Sequence, residues 1–259
     1  ILHLMRLGFE YLSLKEQFWD KDTNIFPQIF VDSLCRINQG LSADDAKRQL
    51  VEITLELDNE DLGQAFYHRL INQSGIKLID FNNFDNNRFH VVSELPCIHG
   101  DDEFRPDITL LINGMPLIFI EVKKPNNKGG IGEEKKRMQD RSLNPKFRRF
   151  INITQWMIFS NNQPYDDNQP TPVQGAFYAT PAHSEPVFNY FREEHPLNLA
   201  KILHTISDEQ ENFVLKDHNL PSIKHNDEFT TNKSPHTPTN AICTSLLSKK
   251  RLAFLLRYG

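Results

Sequence analysis

At 259 residues and 39% hydrophobic content, the chain suits one large domain or two small ones around a sizeable core. No apolar run is long enough to span a bilayer, and residues 1–10 lack the apolar core and cleavage pattern of a signal peptide, so a soluble, cytoplasmic protein is expected. Cys35, Cys97 and Cys243 lie far apart with no Cys-x-x-Cys pair, which argues against a disulfide framework and a zinc knuckle. The net charge of −5 leaves a nucleic-acid partner open only if basic residues gather locally.

In chain order, residues 1–58 read as a helical lobe. Ile29, Phe30, Ser33, Leu34 and Ile37 have helical spacing, and Ser42 caps a second segment carrying Ala46, Leu50, Ile53 and Leu57. A third helix is predicted over residues 59–73, with Leu62, Ala65, Phe66 and Leu70 inward and Gly75 as its stop. Glu60 and Asp61 fall in its first turn, where acids suit the helix dipole. Strands are predicted at 76–81 and 88–95, followed by an acidic loop over 96–104 containing His99, Asp101, Asp102 and Glu103. A metal-binding reading of His99 with those acids is set aside for a surface loop, because carboxylates without rigid support rarely form a site.

The most informative stretch is 105–125, Arg-Pro-Asp-Ile-Thr-Leu-Leu-Ile-Asn-Gly-Met-Pro-Leu-Ile-Phe-Ile-Glu-Val-Lys-Lys-Pro. It predicts strands at 108–112 and 117–122 joined through Asn113-Gly114, a dipeptide suited to the positive φ angles of a tight hairpin turn. Strand alternation puts Leu117, Phe119, Glu121 and Lys123 on one face and Ile118, Ile120 and Val122 on the other. Pairing about the turn then brings Asp107 towards Glu121 at the open end. Two acids and a lysine there suit Mg²⁺ and metal-assisted phosphodiester hydrolysis, whereas the plain alternative is a solvated strand edge.

This stretch resembles the PD-(D/E)xK nuclease superfamily. More narrowly, Arg-Pro-Asp-Ile, Asn-Gly-x-Pro-Leu and Ile-Glu-Val-Lys-Lys-Pro resemble the N-terminal nuclease domain of the R subunit of type I restriction enzymes, with looser similarity over about 62–180. The resemblance implies a restriction-endonuclease-like α/β core, a central mixed sheet flanked by helices. It also implies that Asp107, Glu121 and the Val122 backbone carbonyl bind Mg²⁺ and that Lys123 is the catalytic lysine. Glu60 would be an accessory acid. Many relatives carry Gln-x-x-x-Tyr on the next helix; here Gln139 is a remnant with Leu143 in place of Tyr, while Gln155 is followed by Phe159. Double-stranded DNA, methylation and specificity subunits, and an ATP-driven motor region further along the chain are likewise implied.

Residues 126–132 contain three glycines but no Gly-x-x-x-x-Gly-Lys pattern, so a flexible turn is expected and no ATP site. Lys135, Lys136, Arg137, Arg141, Lys146, Arg148 and Arg149 face a single acid, Asp140, a local +6 that leaves −11 for the rest of a −5 chain. Beside a nuclease site this run reads as a DNA-binding surface; alone it would read as a solvated helix with pairs such as Glu133–Arg137. Strands are expected at 156–160 and 175–180, then a helix over 197–215. Trp156, Phe159, Phe177 and Tyr178 read as core residues. Residues 216–240 have linker composition, and 245–258 reads as a basic, apolar helix. The start at Ile and end at Arg-Tyr-Gly suggest an excised fragment.

The expected division is a helical lobe at 1–58, a nuclease domain at 59–215, and a linker with the start of a motor region at 216–259. The expected function is a Mg²⁺-dependent endonuclease domain of a type I restriction enzyme. Two rivals stand beside it, a non-cleaving DNA-binding or docking module and a stand-alone repair or junction nuclease.

Overall fold

The computed structural model describes residues 1–124, 130–164, 174–178, 187–189 and 191–259, with backbone alone at 174–178 and 187–189. Most of the glycine-rich turn expected at 126–132 lies outside these residues. The sheet grows outward from the predicted hairpin. Strands β5 (Ile108–Ile112) and β6 (Met115–Val122) pair antiparallel, with Ile112 opposite Met115 and Ile108 opposite Ile120. Asn113 and Gly114 adopt φ of 52° and 79°, as a two-residue hairpin turn requires. A Cβ on Gly114 would lie 2.8 Å from the Phe26 carbonyl oxygen, so the approach of helix α2 (Pro27–Ile37) demands glycine as well. The strand runs two residues further back than expected. Pro116 is accommodated because the register shifts opposite it, at Leu110/Leu111.

Among the described residues seven strands form the mixed sheet, in the order β1-β2-β5-β6-β7-β8-β9. They are β1 (Glu10–Tyr11), β2 (Phe89–Ser93), the hairpin, β7 (Trp156–Ser160), β8 (Gln174–Tyr178) and β9 (Val187–Asn189). The β1–β2 and β6–β7 pairs are parallel and the others antiparallel. A parallel pair needs a crossover, here supplied by α5 (Gly130–Ser142) and α6 (Arg148–Ile153) between β6 and β7.

Alternation along β6 and β7 divides the core. Ile118, Ile120 and Ile158 join the larger cluster, which includes residues of α1 (Leu2–Arg6), α2, α3 (Ala43–Glu56) and α4 (Gln64–Ile71). Phe119, Met157 and Phe159 join Ile131 and Met138 of α5, Phe150 and Ile151 of α6, and Phe104. The second cluster matters most for the site, because it fixes α5 against the strand that carries Glu121.

The expected N-terminal helices form, and the Ser42 hydroxyl accepts from Asp45 N–H at 3.1 Å. Several elements depart from the sequence reading. Residues 76–81 are irregular although Leu78 and Ile79 are fully buried. Side-chain amides replace a strand partner: Asn38 Oδ1 accepts from Lys77 N–H, Asn113 Nδ2 donates to the Leu78 carbonyl, and Asn87 Oδ1 accepts from Asp80 N–H. Helix α4 starts at Gln64 rather than 59, because Asp61 accepts from Gly63 and Ala65 N–H groups and Gly63 turns at φ 84°.

The acidic segment 96–104 is not a loop throughout. It forms a small hairpin of β3 (Cys97–His99) and β4 (Asp102–Phe104), anchored by buried Cys97 and Phe104. The single helix expected at 197–215 is two, α7 (Leu199–Ile202) and α8 (Asp208–Asp217), the second opened by a Ser207/Gln210 capping box. Within 216–240 the chain forms a 3-10 turn (Pro221–His225), α9 (Asp227–Asn232) and the start of α10 (Pro238–Leu247). The terminal helix α11 (Lys249–Tyr258) is separate from α10, broken at Ser248 with ψ 133°. Among the described residues no helix is long and apolar enough to cross a membrane.

Candidate active site

The β5–β6 ladder ends at Ile108 opposite Ile120, so the next pair outward is Asp107 and Glu121. Asp107 is held at that rim by two contacts. Its carbonyl accepts from Glu94 N–H at 3.1 Å, and its Oδ2 accepts from Val122 N–H at 2.7 Å. The carboxylate thus takes a β6 amide donor beyond the last paired residue of β5. Its Oδ1 has no hydrogen-bond partner among the described residues.

Glu121 sits opposite Phe159 of β7 and is only 5% exposed. Beyond it, Lys123 N–H donates to the Ser160 carbonyl at 2.8 Å, which carries the β6–β7 pairing past Val122. Alternation then returns the Lys123 side chain to the Glu121 face. Its Nζ lies 3.2 Å from Glu121 Oε2 and also 3.2 Å from Glu134 Oε2 of α5.

Glu134 was not picked out from the sequence. It is 2% exposed and accepts from Arg137 Nη1 and Arg141 Nη1 at 3.1 Å each. Arg141 in turn lies 4.3 Å over the Phe104 ring. A signal was present: Ile131, Glu134, Met138 and Arg141 recur at helical spacing, so Glu134 shares the inward stripe. The sequence reading instead paired Arg137 with Glu133.

Burial pushes the Glu121 carboxyl up to about 7, with Asp107 and then Glu134 adding to the rise. Lys123 offsets this only in part, because one ammonium is divided between two carboxylates. Burial alone would lower the Lys123 pKa, but Glu121 and Glu134 hold it above its usual value. Burial would likewise raise Glu134, yet Lys123, Arg141 and Arg137 hold it below the usual carboxylate range. Lys123 therefore stays an ammonium, a hydrogen-bond donor rather than a base.

Among the described residues, no three His, Cys, Asp or Glu side chains gather as a ready metal cluster. A smaller donor set remains at the rim, and its chemistry fits a hard cation. It comprises the open oxygen of Asp107, the crowded carboxyl of Glu121 and the adjoining Val122 main chain, a set suited to an ion that keeps several waters.

The other expected site residues lie as follows. Glu60 pairs at the surface with Arg148 at 2.6 Å and is 80% exposed; the acids that act on Glu121 are Asp107 and Glu134. Gln139 is exposed on α5, one position past the inward Met138. The basic run is divided. Arg137 and Arg141 bind Glu134, Lys146 binds Asp102, and Arg149 binds Asp58 through Nε and Nη2. Lys136 is exposed on α5, and Lys135 is partly buried there. His99 is exposed on β3 and lines a cleft of about 280 Å³ with Lys21, Asp58 and Arg149, separate from the rim acids.

Comparison with known proteins gives a family match. The profile described as the type I restriction enzyme R protein N terminus matches residues 1–165. Three relatives from Methanocaldococcus jannaschii are named as endonuclease subunits of type I restriction enzymes. One, called MjaIXP, is 28% identical over 169 residues, covering 54% of this chain and 16% of that protein. A second, MjaVIIIP, is 39% identical over 72 residues, covering 28% of this chain and 6% of its own length. A third, MjaVIIP, is 47% identical over 47 residues, covering 18% and 4% respectively. The chain therefore spans a sixth or less of the length of each.

Proposed function

The chain belongs to the family of type I restriction enzyme R protein N termini, and from that premise we propose that it carries a Mg²⁺-dependent endonuclease centre acting on double-stranded DNA. The observation that carries the reading is the convergence of Asp107, Glu121 and Lys123 at one rim of the sheet, with Glu121 buried beneath it.

Asp107, Glu121 and the Val122 carbonyl would hold the ion. When bound, Mg²⁺ lowers the pKa of water and neutralises charge developing on a phosphoryl oxygen. The protein's own residues do the rest. The Val122 amide holds the Asp107 carboxylate at the rim, and the parallel pairing with β7 fixes the direction of Glu121 and Lys123. Lys123, kept protonated by two carboxylates, donates to an attacking water or to a phosphate oxygen and so orients it. The proton leaves with solvent, since the ammonium has no vacant lone pair to accept it.

Lys135 and Lys136 lie on the helix that also brings Glu134 to the rim, and we assign them to the DNA backbone, whereas Arg137 is committed to Glu134. In the complete enzyme, target recognition and methylation would come from separate subunits, and ATP-driven translocation from a motor region following a segment that begins near residue 216. A helical part at 1–58 and a nuclease domain at 59–215 would make up the remainder, working in the cytoplasm. The test is Lys123→Ala in the assembled full-length enzyme. Loss of DNA cleavage with ATP hydrolysis retained is expected, and cleavage at the wild-type rate would overturn the assignment.

A further inference from the structure

Lys123 has a four-carbon stem with freely rotating bonds, which a single contact does not hold in place. Glu121, two residues back on the same strand, supplies one contact at 3.2 Å. With that contact alone, the ammonium would settle on the carboxylate assigned to the metal and cancel its charge. Glu134 supplies a second contact at the same distance from a different element, helix α5.

Glu134 is itself fixed. It is 2% exposed, and Arg137 and Arg141 each donate to it at 3.1 Å. Arg141 rests over Phe104 at 4.3 Å, within the core cluster that also holds Ile131 and Met138 of α5. The anchor therefore has the rigidity of the packed helix. Among the described residues, two of the three ammonium N–H groups are engaged by carboxylates on separate elements, which leaves one for a reacting group.

We propose that Glu134 is a positioning residue for the nuclease centre: from α5 it draws the Lys123 ammonium off Glu121 and holds it between the two carboxylates, so that Glu121 keeps charge for a divalent cation and Lys123 keeps a donor for the substrate. This rests on the reading of Asp107, Glu121 and Lys123 given above. Arg137 and Arg141 could neutralise Glu134 by themselves. The third cation, from a strand at the proposed catalytic rim, is what separates a positioning role from a purely structural ion pair.

The experiment compares Glu134→Gln, Glu134→Asp and Lys123→Ala in the assembled full-length enzyme, and titrates the wild-type and Glu134→Gln chains with Ca²⁺ by calorimetry. Glu134→Gln is expected to lower kcat for DNA cleavage by about a hundredfold with KM for DNA within about twofold of wild type. Glu134→Asp, which restores the charge on a shorter arm, is expected to recover at least about tenfold of that loss. Ca²⁺ affinity of the Glu134→Gln chain is expected to fall by about five- to tenfold while its far-ultraviolet spectrum and melting cooperativity match wild type, a pattern that loss of packing would not produce. Wild-type kcat in Glu134→Gln, with cleavage lost in Lys123→Ala, would overturn this inference and leave the nuclease reading standing. Wild-type cleavage in Lys123→Ala would remove that reading itself. Unchanged Ca²⁺ affinity, or a Glu134→Gln chain that no longer folds while Glu134→Asp folds and cleaves no better than Lys123→Ala, would assign Glu134 to structure alone.

Discussion

Two groups of charged residues, each anchored by one of the successive crossover helices α5 and α6, behave differently. At the rim, Glu121 and Glu134 are 5% and 2% exposed and divide one lysine between them. On α6, Arg148 and Arg149 pair with Glu60 and Asp58, whose side chains are 80% and 49% exposed. Charges in the second group are more open to solvent, each acid answering to one arginine, although Arg149 also reaches Asp22 at 3.8 Å. Those in the first are desolvated and crowded, an arrangement that burdens the fold and so points to function.

The sharpest way to break that contrast is Glu121→Gln. In the assembled enzyme it should lower cleavage at least about a thousandfold, or about 4 kcal/mol of transition-state stabilisation. With divalent cations chelated, the same change should raise the stability of the chain by about 1–2 kcal/mol at pH 8, because it removes a buried charge with two acidic neighbours. Cleavage rates and urea midpoints measure the two halves. A variant that lost stability without losing cleavage would reverse the contrast.

Next in size is the turn that supports the rim. Gly114 stands at φ 79° with backbone of the α2 segment where a Cβ would go, so Gly114→Ala should destabilise the chain by about 2–4 kcal/mol. An unchanged urea midpoint would count against the turn as described.

That hairpin was the most legible part of the chain. Asn113-Gly114 prescribes its turn, and a period of two prescribes the faces, so Glu121 and Lys123 could be placed together before any tertiary contact was known. Ser42 and its helix were legible for a similar reason, because a cap acts within one turn. Glu134 was not. Its partner lies on β6, and a buried glutamate in a basic helix looks like any other i,i+3 salt-bridge former until α5 is packed on Phe119 and Phe159. Residues 76–81 were misread because apolar content signals burial, whereas a strand also needs a neighbouring backbone, and here Asn38, Asn87 and Asn113 supply the bonds. β1 has only two residues, too few for alternation to register.

A buried base without crowding gives an intermediate case. His90 is 6% exposed, and burial followed by the nearby Arg88 lowers its pKa to about 4. Its folded value lies below its unfolded one, so the neutral form is favoured by folding. The stability it contributes is full above about pH 6.5 and is lost as pH falls towards 4, up to about 3 kcal/mol. Urea titrations of wild type and His90→Leu over that window should differ in slope, wild type losing more. Parallel slopes would mean that His90 protonates without penalty.

The smallest effect is expected on α6. Arg149 binds Asp58 through two hydrogen bonds of 2.7 and 2.9 Å, and the hydrogen bond from Arg149 holds the Asp58 carboxyl below its usual range. Because the pair is solvated, much of that gain is offset by side-chain ordering and screening, and Arg148→Ala with Arg149→Ala should cost no more than about 1 kcal/mol in all. The same double variant tests whether the surface reaches DNA. An arginine committed to a carboxylate releases few counterions on binding, so the slope of log affinity against log salt should stay within about one-half of wild type. A slope smaller by nearly two would show that both guanidinium groups exchange carboxylate for phosphate in the complex. In that event the surface on α6 would join the rim as part of the working interface, and burial would no longer separate the two groups by role.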